Sequence, residues 1–327
     1  KIYSIFMFYV VFKQLLIMAL IVLGGFTFAK AFKVDDKEQK FLSKLLIYFI
    51  NPFLILNALN IDFELTKFIQ LSLVFALSLV VHLIMIGLAL LFSRTKNSEE
   101  KDCCNLDALA MMFSNCGFVG IPLIRGVFGD EGVFYLLGFL VAFNVIMWTY
   151  GYAKLSGRVN VKKIATNPNM IAVIIGLIVF FVPFPLPEVL SKAIGMIGEL
   201  NSAIAMILIG VLFAGFTFDV KYIKHIVKVC FVRLILVGFV VTVLILCIYK
   251  VLLPIINPAD YQLLKMILFV VLICASCPSA TSVPSLACLF NKDGEYSSML
   301  VCITSLLCMI TVPAVVAFAE LLFKYLA

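Results

Sequence analysis

Ser114-Asn115-Cys116-Gly117-Phe118-Val119-Gly120-Ile121-Pro122-Leu123 and Cys277-Pro278-Ser279-Ala280-Thr281-Ser282-Val283-Pro284-Ser285 are the two stretches that decide the architecture. Each lies inside a segment long and apolar enough to cross a bilayer, yet each carries small, polar and helix-breaking residues at its centre. Backbone that stops being helical at membrane depth is tolerated only where protein buries it or where it lines a cavity. Two such interruptions at matching places of two half-sequences point to the binding site of a secondary transporter.

The composition agrees. Hydrophobic residues make up 64% of the 327-residue chain and charged residues 13%, too few to cover a water-soluble globule of this size. Ten apolar stretches predict membrane spans, at 12–32, 41–60, 67–92, 105–128, 132–155, 168–186, 190–217, 226–254, 261–290 and 297–323. Lys13 interrupts the first and no small-residue cleavage site follows, so it reads as a retained span rather than a signal peptide. The expected fold is therefore an all-α integral membrane protein.

The polar run Ser156-Gly157-Arg158-Val159-Asn160-Val161-Lys162-Lys163 separates five spans from five. It divides the chain into a first half, 1–155, a cytoplasmic linker, 156–167, and a second half, 168–327. Five is odd, so the second half enters the membrane in the opposite sense: two inverted five-helix repeats, with broken, crossing fourth and ninth helices. Pro122 is followed six residues later by Phe128 and then an acidic turn, and Pro284 likewise by Phe290 and an acidic turn.

Loops after the odd-numbered spans hold sixteen Lys and Arg against five in the others (Lys67, Arg125, Lys192, Lys250 and Lys265). The odd loops are expected in the cytoplasm and both termini outside the cell or inner membrane. This asymmetry accounts for most of the net charge of +7 without a nucleic-acid partner. The ten cysteines form no regular framework. Cys103-Cys104, in a polar loop, and Cys274-x-x-Cys277 stand out, and the latter reads better as small packing residues than as a redox or metal pair.

Proline is favoured in the first turn of a helix, so half-helices beginning near Pro122 and Pro284 would aim their N-termini at the membrane centre. Each end carries about half a positive charge and unpaired N–H donors, a ready cradle for an anion without a lysine. Ser114, Asn115, Pro278 and Ser282 surround the crossing, and Asn144 and Trp148, four apart, share one face of the fifth span. Asn57 in the second span is a further candidate, as are Asn201 and Thr304, although all three also fit interhelical hydrogen bonds. No Asp or Glu stands out near the middle of a span, and His82 is the one central titratable candidate, more readily structural than functional. Metal-protease, nucleophile-elbow and P-loop signatures are absent, so no enzyme and no cofactor are expected. Sodium coordination by Ser114, Asn115 and unwound carbonyls stays open.

At these residues the chain resembles the auxin efflux carrier family, which includes the plant PIN proteins and many bacterial relatives. The resemblance rests on Asn115-x-x-x-x-Gly120-Ile121-Pro122-Leu123, Asn144-Val145-Ile146-Met147-Trp148, Asn167-Pro168-Asn169 with Gly176-Leu177-Ile178, Ala205-Met206 with Gly210, the prolines of the ninth span and Pro313. It implies a homodimer, a scaffold of spans one, two, six and seven, and an elevator-like transport domain of spans three to five and eight to ten. It assigns Asn115, Pro122 and Pro284 to the substrate crossover. Asn144 stands where plant members commonly have glutamine. The short central loop resembles bacterial members, which implies organic acids such as malonate or malate rather than auxin. The expectation is a secondary carrier of a small carboxylate anion. The alternatives are a sodium-coupled acid symporter of the bile-acid type and a membrane receptor that binds without transporting.

Overall fold

The computed structural model describes residues 2–97, 100–157, 166–181, 186–215 and 219–326. Most of the expected linker, with Arg158, Lys162 and Lys163, lies outside the described residues. The described chain is all helical: α1 (Ile2–Phe32), α2 (Asp36–Leu45, prolonged through Leu46–Ile50 into Asn51–Leu59), α3 (Leu65–Phe92), α4 (Lys101–Met112), α5 (Cys116–Ser156), α6 (Pro168–Phe181), α7 (Glu188–Ala214), α8 (Val220–Leu252), α9 (Tyr261–Ser276), α10 (Ser282–Leu289) and α11 (Gly294–Leu326). Leu20, Leu83, Ile174, Phe239 and Ile310 point outward from these helices, a surface suited to lipid rather than water. The protein is a multi-pass membrane protein.

Among the described residues eight helices are long and apolar enough to cross a membrane, with the shorter apolar α6 beside them. Ten stretches were expected, and the reason for the difference is local. The fourth is interrupted after Met112, so α4 has only 12 residues. Its remainder runs on into the fifth as α5, bent at Gly129, whose φ of 69° favours glycine. Cys103-Cys104 belongs to α4 and not to a loop.

Where helices approach most closely, glycine permits it. A Cβ on Gly210 of α7 would collide with the backbone of Val22 and Phe26 in α1, and one on Gly25 of α1 with the Ile207 backbone in α7. In the same group of helices, a Cβ on Gly198 would stand 3.0 Å from Leu54 Cα, and one on Gly176 would stand 2.6 Å from Leu59 Cδ1. Thus α1, α2, α6 and α7 pack through small residues, as membrane helices do when apolar burial offers no net gain over lipid. The interrupted segments pack with α3, the distal limb of α5, α8 and α11, while α1 also lies along α11 and α7 also touches the coil at Cys116–Gly120. Gln14 Nε2 of α1 donates to the Pro122 carbonyl at 3.2 Å and joins the two groups.

Gly210→Val should lower the melting temperature in detergent markedly, since overpacking costs about 1–3 kcal/mol. Gly24→Val, at a position with nothing within 4 Å of an added Cβ, should leave it nearly unchanged.

Candidate functional site

A helix that stops inside a bilayer leaves up to four carbonyls without partners. The sequence around Phe113 and Cys277 resolves this by pairing the two breaks with each other. Asn115 N–H donates to the Pro278 carbonyl at 2.8 Å and Ala280 N–H to the Phe113 carbonyl at 2.9 Å, so Ser114 and Ser279 lie opposite each other in a single antiparallel bridge. The last carbonyls of α4 are then taken in turn. Leu109 O accepts from Phe113 N–H at 3.0 Å, Ala110 O from Ser279 Oγ at 2.9 Å, and Met111 O from Arg233 Nη1 at 3.1 Å. Thr304 Oγ1 of α11 accepts the Ser279 N–H at 3.1 Å, which makes Thr304 part of the frame around the break.

Arg233 is the group that sequence reasoning missed. It is fully buried on α8, within the wide turn Phe231–Leu236 that shifts the helical register. Its Nε and Nη2 donate to the Cys277 carbonyl at 3.0 and 2.8 Å, and Nη2 also reaches the Ala275 carbonyl. Nη1 adds a contact to Met85 Sδ at 3.2 Å besides its bond to Met111. One guanidinium therefore closes the C-terminal ends of both α4 and α9. Each end carries about half a negative charge, so the two together roughly offset the cation without a carboxylate. The available signal was an arginine inside an apolar 33-residue helix, since an ionisable group in a span is a functional candidate.

The second halves start differently from the expectation. The helical coil after the first break begins at Cys116, six residues before Pro122, because Asn115 caps it: its Oδ1 accepts the Phe118 N–H at 3.3 Å. Pro122, buried, sits one turn farther on. In the second segment Pro278 lies in the break itself, and half-buried Pro284 is the third residue of α10, where its missing N–H costs nothing.

Four side-chain groups at these breaks are buried without a hydrogen-bonding nitrogen or oxygen partner: Ser114 Oγ, Asn115 Nδ2, Ser276 Oγ and Ser282 Oγ. Buried polar groups are normally paired, so these four need an explanation, with Ser276 Oγ lying toward α8, 3.5 Å from where a Cβ on Gly238 would stand. All four can donate a hydrogen bond, and they come from both interrupted segments. Two residues after Asn115 there is open space at Gly117, where an added Cβ would meet only Leu140 Cδ1, at 3.9 Å.

Other expected residues fall elsewhere. Asn144 is buried on α5, and its Nδ2 is engaged by the Leu140 carbonyl of its own helix at 2.8 Å. Trp148 packs half-buried beside the apolar cluster that contains Phe113 and Met147. Asn57 faces α7, where a Cβ on Gly195 would lie 3.4 Å from its Oδ1. Asn201 Nδ2 donates to Asn51 Oδ1, an interhelical pair. His82 donates through Nδ1–H to the Ser78 carbonyl, 2.7 Å away, and leans on Phe139 with ring centroids 4.8 Å apart. Cys274 and Cys277 are buried free thiols of the core.

A buried acid also lies close to the first break, at the start of the expected fourth span rather than at its middle. Asp107 of α4, one turn before the break, is fully buried and bonded by Tyr296, His225 and Lys228. It stands at the start of the expected fourth span, 105–128, where an acid reads as a flanking residue.

A helical membrane bundle with paired breaks and unmatched donors at their junction has the features of a membrane carrier. The profile of the family described as membrane transport protein matches residues 10–164 and 154–316, nearly the whole chain. The chain belongs to this family, the auxin efflux carriers. It is also 28% identical over 200 residues to an uncharacterised transporter of Methanocaldococcus jannaschii, a match spanning 58% of this chain and 63% of that protein.

Arg233→Met should destabilise the protein strongly, because three buried carbonyls lose their donor at about 1–3 kcal/mol each. Arg233→Lys should recover only part of this in a thermal unfolding assay, since one ammonium cannot span carbonyls on two segments.

Proposed function

We propose that the protein is a secondary carrier for a small organic carboxylate, bound where the two interrupted segments meet. The observation that carries this reading is the set of unmatched donors, Ser114 Oγ, Asn115 Nδ2, Ser276 Oγ and Ser282 Oγ. A carboxylate supplies about four lone-pair sites and would match them. Electrostatics favours the same ligand. Arg233 engages the negative ends of α4 and α9, which leaves the positive N-terminal ends at Cys116 and Ser282 for an anion.

The chain would form ten spans in two inverted halves and assemble as a homodimer with both termini outside. Spans one, two, six and seven would be the scaffold, and the remainder an elevator-like transport domain crossing at its fourth and ninth helices. The glycine-mediated packing of α1, α2, α6 and α7 against one another supports the scaffold half of this division, with α1 also lying along α11. The Gln14–Pro122 hydrogen bond would then be one of the contacts that must slip during each cycle. If one net charge crosses per cycle, a potential of 100 mV contributes about 2.3 kcal/mol, enough to bias flux without a coupling ion.

The test is flux in proteoliposomes across a panel of small carboxylates, with potential, sodium and pH gradients imposed separately. Potential-dependent flux of at least one anion is expected. Indifference of intact protein to all of them would defeat the reading, and strict dependence on sodium would move it to the symporter alternative. Asn115→Asp is the sharper variant. It keeps the oxygen that caps Phe118 while replacing the free donor by a negative charge. The fold should persist, and anion affinity should fall by at least about tenfold, the loss of one hydrogen bond to a charged group.

A further inference from the structure

We propose that Cys103, Asp107 and His225 form a binding site for a zinc-class divalent metal ion, separate from the junction of the two breaks. Cys103 and Asp107 stand four apart on α4 and so share one face, and His225 meets them from the first turns of α8. Their sulfur, oxygen and nitrogen donors all lie within 4.8 Å of one another. Zinc bonds of about 2.0–2.3 Å put tetrahedral ligands roughly 3.5 Å apart, so closing the site takes about 1 Å of side-chain rotation. A mixed thiolate, imidazole and carboxylate set suits zinc rather than magnesium or calcium, which prefer oxygen alone.

The surroundings supply the outer layer that metal ligands need. Tyr296 OH donates to Asp107 Oδ1, fixes the carboxylate plane and also contacts the Cys103 thiol, while Oδ2 faces His225. Tyr296 is itself braced by Tyr222, with ring centroids 4.2 Å apart, and the Tyr222 hydroxyl donates to Asp293 at 2.7 Å. In the metal-free arrangement Oδ2 is shared by His225 Nδ1 at 2.6 Å and Lys228 Nζ at 2.9 Å. Lys228 therefore occupies the place of the cation. Its side chain is 29% exposed on a flexible stem and can swing outward when a divalent ion replaces it, while the three ligands stay on their helices. Three protein ligands leave a fourth position open, reached from the partly exposed His225 side.

The experiment is a cobalt titration of the purified, tag-free chain in detergent, read by the near-ultraviolet sulfur-to-cobalt charge-transfer band and chased with zinc. One cobalt per chain, displaced by zinc, is expected. The band should vanish in Cys103→Ser and His225→Ala and persist in Cys104→Ser, with melting temperatures recorded for each variant. Lys228→Met should bind at least about tenfold more tightly, because the competing ammonium is gone. No band in the unmodified chain, or a band that survives Cys103→Ser and His225→Ala, overturns the site. Should either ligand variant unfold, Lys228→Met still decides: tighter binding supports the site, and unchanged or weaker binding overturns it.

Discussion

The structure depends on one guanidinium reaching backbone that lipid cannot satisfy. Two helices that stop within the bundle, α4 and α9, each end in carbonyls and a partial negative charge that other groups must satisfy. Arg233 bonds the Met111 carbonyl of one and the Ala275 and Cys277 carbonyls of the other, so a single side chain ties the two breaks together. The bridge between Ser114 and Ser279 completes the pairing with backbone donors. A buried arginine is costly to desolvate, and here the cost is met by carbonyl dipoles rather than by a carboxylate.

This arrangement shapes the chemistry next to it. Because the cation is committed to the C-terminal ends, the opposite ends at Cys116 and Ser282 are left to act outward. The free groups beside them are hydroxyls and an amide, which donate without carrying charge. Under the proposed function, such neutral donors would release an anion more readily than a salt bridge would.

Helix α8 connects two polar stations. Arg233 serves the breaks, and His225 and Lys228, two turns earlier, hold Asp107 on the segment that leads into the first break. Displacement of α8 against α4 would disturb both stations together, since α4 is bonded at Asp107 and again at Met111. The rest of α4 is fixed by burial: Leu106, Ala108, Leu109 and Ala110 are fully enclosed.

The class of molecule was legible from residue order alone. Apolar stretches of span length, the interruptions at Asn115 and Pro278, and the family motifs are local patterns, and helix-breaking chemistry acts on neighbours in the chain. The same local logic put the coil's start at Pro122. Tertiary structure moved it to Cys116, because the Asn115 cap and the bond to Pro278 outweigh a proline that fits equally well one turn later. Arg233 and Asp107 could be seen in the sequence but not understood there. What a buried charge does is set by partners more than 100 residues away, such as Met111 for Arg233 and His225 for Asp107. Only the folded chain brings those partners within hydrogen-bonding distance, because electrostatic and hydrogen-bonding energy depends on separation in space and not along the chain.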